Sequence, residues 1–174
     1  MEYSEIVKFH GHSCPGSAIG YRMTRAAMEG LAVTRSGDEE LVAIVENDAC
    51  GVDALQLMTG CTFGKGNLIF RDYGKPVYTL FSRASGTGVR VLFRDAALPE
   101  GVRSDRGQKL EYILSAPDDA ILSLKTVSID LPQPAQIHSS VSCDHCHESV
   151  METRLQSVNG QMLCIPCAIE SAGE

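Results

Sequence analysis

The sequence predicts an α+β protein. A mixed core of about five strands flanked by helices spans residues 1–131, a proline-containing connector follows over 132–138, and a small four-cysteine finger fills 139–174. Three observations lead there. A long helical periodicity near the N-terminus gives way to short β-branched runs, so helices and strands share one core. Asp130-Leu131-Pro132-Gln133-Pro134-Ala135-Gln136 sets two prolines among polar neighbours and reads as a stiff, extended connector. Beyond it, Cys143-x-x-Cys146 and Cys164-x-x-Cys167 offer four soft ligands in two turns, the spacing of a structural zinc cage.

The elements follow in order. Cys14-Pro15-Gly16 opens a helix with Pro15 at its first position, running to about Leu31 and presenting Ile19, Met23, Ala26, Ala27 and Leu31 along one face. Leu41 to Glu46 is a buried strand by its β-branched content. Asp53 caps a short helix from Ala54 to Thr59. Leu68 to Phe70, Val77 to Phe81 and Val89 to Phe93 read as strands, Asp105 to Ser115 as a helix, and Leu122 to Ile129 as the last strand. In the finger, Val150 to Leu155 alternates loosely, Asn159-Gly160 turns the chain, and Gln161 to Leu163 leads back to the second cysteine pair. No internal repeat interrupts this plan.

Composition narrows the function. At 174 residues the chain accommodates one mid-sized domain and a small one. No apolar run is long enough to span a bilayer, and the opening MEYSEIVKFHGH lacks the apolar core of a signal peptide, so a cytoplasmic protein is expected. Seven cysteines in a reducing compartment point to ligands or reactive thiols more than to disulfides. A net charge of −7 argues against a general grip on nucleic acid, though less strongly for the finger alone.

With four cysteines assigned to the cage, Cys14, Cys50 and Cys61 remain. Phe9-His10-Gly11-His12-Ser13-Cys14 places two imidazoles and a thiol at alternate positions before a helix, a chelating pattern if the segment is extended. The competing reading is a helix cap with one histidine satisfied by backbone. A thiol at a helix N-terminus is also biased toward thiolate. The second stretch runs from Val45 through Asp48, Cys50 and Asp53 to Gly60-Cys61-Thr62-Phe63-Gly64-Lys65-Gly66, polar and glycine-rich after a buried strand. Lys65 between two glycines does not make a phosphate loop, because Gly60 to Gly64 is one residue short of the required spacing. Cys50 is either a ligand or a small buried hydrophobe, and Cys61 in its loop is the stronger ligand candidate.

FHGHSCPGSAIGYRM, VENDACGVDALQLMTGCTFGKGNLIFRDYGKPVYTLF and the strand RVLF together resemble the formylmethanofuran dehydrogenase FmdE family over residues 5–130. The resemblance implies a thioredoxin-like mixed sheet, a metal-binding active site and a homodimer. It also implies a link to molybdenum or tungsten formylmethanofuran dehydrogenase, whose subunits would be partners. Carried over by position, the core site would comprise His10, His12, Cys14 and Cys61, holding a second divalent metal of zinc type, with Cys50 and Asp48 nearby. Cys14, Cys61 and Lys65 would be catalytic, Lys65 steadying an anionic substrate; a solvated lysine is the alternative. Tyr21 and Arg22, one turn into the helix, face either the pocket or solvent.

CDHCHESVMETRLQSVNGQMLCIPC resembles the treble-clef finger of the DnaK suppressor family, whose members contact RNA polymerase. Three functions stay open: a metal-dependent enzyme or enzyme subunit, a thiol redox or metal-delivery protein, and a regulatory module acting through its finger.

Overall fold

The computed structural model describes residues 1–128 and 130–172. Ile129, the expected end of the last core strand, and Gly173 and Glu174, the expected end of the finger, lie outside the described residues. The chain forms two compact units, Met1–Ala135 and Gln136–Glu174.

The first unit opens with a helix absent from the sequence reading, α1 (Tyr3–His10). A capping box between Glu2 and Glu5 starts it, and Gly11 in the left-handed region (φ 93°) ends it. Helix α2 (Pro15–Leu31) follows as expected, with Cys14 as its N-cap and Ala32 closing it at φ 52°. Strand β1 (Leu41–Val45), helix α3 (Gly51–Thr59) and strand β2 (Leu68–Phe70) then make a parallel crossover, Val45 standing opposite Phe70. Helix α3 starts three residues before the position expected. Asp53 therefore lies in its first turn and is no cap.

Strands β3 (Val77–Ser82), β4 (Thr87–Phe93) and β5 (Leu122–Val127) continue antiparallel, giving the sheet order β2-β1-β3-β4-β5. This is the five-stranded mixed sheet, crossover first and hairpin second, of a thioredoxin-like core. Between β4 and β5 come α4 (Glu100–Ser104), α5 (Arg106–Ser115) and α6 (Asp118–Ile121). Asp105 caps α5 by accepting from the Gln108 amide at 2.8 Å.

Helix α2 lies against one face of the sheet, where Met23, Ala26 and Ala27 meet Leu80, Val89, Val91 and Phe93, and α5 packs on α2, its Ile113 joining the same cluster. On the other face Val42, Val77 and Phe81 are also buried, which is why β1 reads as a continuous apolar run without alternation. Arg22 faces neither pocket nor solvent. Its buried guanidinium donates to the Ile113 and Ala116 carbonyls and to the Asp118 carboxylate, pinning the end of α5 to α2. A buried arginine survives there because its donors are spent on fixed acceptors. The beginning of the expected connector is tied to this unit: Arg83 donates to the Pro132 carbonyl at 3.0 Å, and the Ala135 amide to the Glu39 carboxylate.

Helices α2 and α3 cross in direct backbone contact. A Cβ on Gly20 would lie 2.2 Å from the Gly51 carbonyl oxygen, and one on Gly51 would lie 2.5 Å from the Tyr78 hydroxyl. Gly16 packs the same way against Cys50, with 3.1 Å between its would-be Cβ and the Cys50 Cβ. These glycines bring the N-terminal ends of both helices side by side, and with them Cys14 and Cys50.

In the second unit, β6 (Ser140–Ser142) pairs with β7 (Ser149–Met151), and β8 (Leu155–Val158) pairs with β9 (Gln161–Cys164). Asn159 (φ 51°) and Gly160 (φ 84°) form the tight turn between β8 and β9, as the sequence predicts. Helix α7 (Ile165–Ala172) follows directly. A short hairpin leading into a helix, with the second cysteine pair straddling the junction (Cys164 ending β9, Cys167 in α7), is the treble-clef plan.

Gly20→Ala should destabilise the core unit by about 1–3 kcal/mol or more, since a methyl group meets backbone that cannot yield. Gly30→Ala, whose new Cβ would sit 3.5 Å from Val89, should be neutral or stabilising by up to about 1 kcal/mol. Urea unfolding of both variants, followed by far-UV circular dichroism, checks the contrast.

Candidate metal centres

The core site is assembled from three chain ends. His10 is the last residue of α1, Cys14 the N-cap of α2, and Cys50 the N-cap of α3. Their ligand atoms all lie within 4.8 Å of one another, with His10 Nε2 4.0 Å from Cys14 Sγ. Ligands about 2.0–2.3 Å from a tetrahedral zinc ion stand roughly 3.3–3.8 Å apart, so small side-chain shifts would close this set around one ion.

Asp53 completes the arrangement, its Oδ2 2.7 Å from His10 Nδ1. An imidazole that donates through Nδ1 presents the Nε2 lone pair to the two sulfurs, the carboxylate–histidine pairing that orients metal ligands. The Asp53 hydrogen bond raises the His10 pKa above its usual value against the opposing effect of burial, with the Asp53 charge and Cys14 adding to it. For Cys14, burial works against ionisation. The Ser17 hydroxyl and amide, the Cys50 thiol and the Gly16 amide outweigh it, so the Cys14 pKa falls below the ordinary thiol range. The Ser17 amide donates to Cys14 Sγ at 3.3 Å. Cys50 is shifted the other way, first by burial and then by the charge of Cys14.

One imidazole, one thiolate-prone sulfur and one thiol therefore face a common point. Beside it, the Tyr78 hydroxyl packs against Gly51. Burial, then the charges of Asp53 and Cys50, hold the Tyr78 pKa far above the usual phenol value, so this group keeps its proton.

The structure assembles a different set from the one carried over by position. It groups Cys50 with His10 and Cys14, leaves His12 beside that group but outside it, and places Cys61 in the hydrophobic core. His12 is exposed and outside the group, its ring tilted by 39° against that of His10 at 4.5 Å. The extended segment that would align residues two apart is absent, because α1 runs through His10 and Gly11 then turns the chain. Cys61 is fully buried in the hydrophobic core, and burial raises its thiol pKa. Gly60, left-handed at φ 76° and pressed against the Ser36 carbonyl, ends α3 and sends the chain straight inward at Cys61. Lys65 donates to the Asp38 carbonyl at 3.3 Å and does not line the cleft described next. Asp53 is the residue the sequence hid: it looked like a cap, and its partner lies 43 positions away.

A cleft of about 430 Å³ adjoins the site at the carboxyl ends of the parallel strands β1 and β2. His10, Asp48, Cys50, Asp53, Phe63 and Phe70 are among its walls. The loop bearing Phe63 is held by Asn67, which is buried. Its side chain accepts from the Thr62 amide at 3.0 Å and donates to the Leu41 carbonyl at 3.0 Å.

In the second unit, Cys143, Cys146, Cys164 and Cys167 converge with all four sulfurs within 4.8 Å of one another. Cys146 and Cys164 are 3.9 Å apart, close to the roughly 3.8 Å edge of a zinc–thiolate tetrahedron. The Cys164 amide donates to Cys143 Sγ at 3.3 Å. That amide, against burial and aided by those of Cys146 and His145, pulls the Cys143 thiol down to about 6. Asp144 straps this turn to β9 by accepting from the Met162 amide at 2.6 Å. The four residues fit a structural zinc ion. His145 and His147 are exposed and stand outside the group.

Comparison with known proteins returns a family match for each unit. Residues 9–123 match the family model described as FmdE, molybdenum formylmethanofuran dehydrogenase operon. Residues 138–171 match the prokaryotic dksA/traR C4-type zinc finger. A curated relative from Archaeoglobus fulgidus, named a probable S-adenosyl-L-methionine-binding protein, is 33% identical over 190 aligned positions covering 92% of this chain. The chain spans about half the length of that relative, 50%. A crystal structure of a tungsten formylmethanofuran dehydrogenase FmdE-like protein from Syntrophus aciditrophicus superposes with a TM-score of 0.74 at 28% identity, covering 98% of this chain and 94% of that one.

Among the described residues the finger's apolar cluster is Leu163, Ala168 and Cys143, Cys164 and Cys167, with Val150 and Val158 beside them, too little to hold the unit without metal. Zinc should supply most of its folding free energy, on the order of 10–16 kcal/mol. Cys164→Ser, or a strong chelator, should make residues 136–172 protease-sensitive while the first unit stays intact, as limited proteolysis with mass spectrometry would show.

Proposed function

The chain belongs to the FmdE family, and from that premise we propose that its core is a metal-dependent protein holding one divalent ion of zinc type at His10, Cys14 and Cys50. It would serve as an accessory subunit or enzyme in the one-carbon chemistry of molybdenum or tungsten formylmethanofuran dehydrogenases. The observation that carries this reading is the Asp53–His10 pair aimed at two cysteine sulfurs beside a cleft. A structural site closes its coordination with four protein ligands; three ligands next to a cleft leave a place for water or substrate. A divalent ion there would polarise a bound oxygen or lower the pKa of a bound water.

The chain's own residues have separable parts in this. Asp53 fixes the ring and tautomer of His10. Ser17 holds the Cys14 sulfur ready to ligate. Tyr78 keeps its proton and packs its buried hydroxyl against Gly51, holding the first turn of α3 in place. The relation to formylmethanofuran dehydrogenase rests on the family and on the Syntrophus neighbour. A homodimeric core and partner subunits from such an enzyme form part of the same proposal.

A second reading, metal delivery or thiol redox, is favoured by one feature: Cys50 is exposed while Cys14 is buried. One sulfur is thereby open to an incoming acceptor while the other stays guarded.

The full chain reconstituted with zinc should bind two ions, measured by inductively coupled plasma mass spectrometry per mole of protein. Cys14→Ala should leave one ion, the finger's. Asp53→Asn should retain both sites and weaken the core one by about 10–100-fold in a competitive chelator titration. A wild-type chain that takes up a single ion defeats the core-site reading.

A further inference from the structure

We propose that the cleft beside His10, Cys14 and Cys50 takes a flat aromatic ligand that is neutral or positively charged, and discriminates against anions. This rests on the metal-site reading only for the cleft's location. The first observation is aromatic. Phe63 is 80% exposed and Phe70 47% exposed, and both line the same cleft. Two large apolar rings left in water beside a cavity of ligand size mark a surface that something covers. Phe63 is held out by its loop: the Gly66 amide donates to the Phe63 carbonyl at 3.1 Å, and Asn67 anchors the loop's end to β1. Phe70 ends the edge strand β2, opposite Val45. Rings of this kind bind flat π-systems by offset or edge-to-face contact, and cations by their electron-rich faces.

The second observation is charge. The cleft's walls carry Asp48 and Asp53 and the amides of Asn47 and Gln56; the basic group in its lining is His10, already paired with Asp53 at 2.7 Å, and among the described residues no lysine or arginine lines it. Two thiolates and one divalent ion cancel, so an occupied metal site does not reverse the sign set by the two carboxylates. The N-terminus of α3 would by itself favour an anion, but Asp53 in its first turn already supplies one. Asp48 is exposed at the rim and free to meet a cationic group. A carboxylate or phosphate entering here would lose its hydration and meet like charge. The lining thus sorts ligands by sign before the rings sort them by shape.

Three probes share one ring and differ in charge: benzamidine, benzamide and benzoate. Saturation-transfer and chemical-shift NMR on the zinc-loaded full chain should rank their affinities in that order. Phe63→Ala and Phe70→Ala, both at exposed positions, should each weaken benzamide by about 2–10-fold. Asp48→Asn should narrow the benzamidine-to-benzoate ratio. Benzoate binding as tightly as benzamidine overturns the proposal, as does a Phe63→Ala/Phe70→Ala double variant with unchanged affinities. It is equally overturned if that double variant converts a dimer to a monomer in sedimentation, since the rings would then belong to an interface between copies. Metal content of the same samples separates the two readings. A chain without core metal that keeps the ranking supports this inference and removes the metal reading; a metal-loaded chain that binds none of the probes removes this inference alone.

Discussion

The architecture of the core site depends on one contact, the backbone-to-backbone crossing of α2 and α3 at Gly20 and Gly51. Side chains normally hold helices roughly 8–10 Å apart, and here two of them are dispensed with. The result is that two helix N-termini, which ordinary packing would separate, open onto the same small volume. Cys14 and Cys50 are the cap residues of those helices, so their sulfurs meet by construction. Gly16 extends the same principle by one turn, since any larger residue would press on Cys50. The glycines thus act on chemistry without carrying any.

The finger's cysteine cage and the proposed core site embody opposite strategies. In the finger, ligands sit in one turn and at one strand-to-helix junction, and a zinc ion would compensate for a core of only a few buried residues. In the core unit the hydrophobic framework is complete without a metal. The three ligands are delivered by elements already fixed by packing, and Asp53 fixes His10 in turn. The first centre spends its ligand set on folding. The second, as proposed, inherits a fold and would leave part of its coordination sphere free, the division expected between structural and functional sites.

Legibility followed the range of the interactions. Helix α2 and the Asn159-Gly160 turn were readable because their signals are local: a proline after a cap, or two residues suited to positive φ. The finger's cysteines were readable because a metal cage imposes spacing within one segment. Of the core ligands, His10 and Cys14 were among the candidates, while the structure sets Cys50 beside them in place of His12 and Cys61. His10-Gly11-His12 looks like an extended chelator, yet Glu2 and Glu5 start a helix whose end, at Gly11, points the two rings differently. Cys61 in a glycine-rich loop looks exposed, yet Gly60 turns it into the core. Cys50, undecided by sequence, joins the site only through a crossing whose two glycines are far apart along the chain. Asp53 shows the same limit, its role depending on a histidine from another helix.

The buried Asn67 side chain has a consequence for recognition. By bracing both ends of the short loop that displays Phe63, it removes from the unliganded protein most of the conformational freedom that an exposed loop would otherwise have. The ordering entropy is then lost during folding, where a whole hydrophobic core can offset it, and not at the moment of encounter. An incoming molecule would meet a ring already in position. The selectivity of the cleft is in that sense set by an amide that no ligand needs to touch.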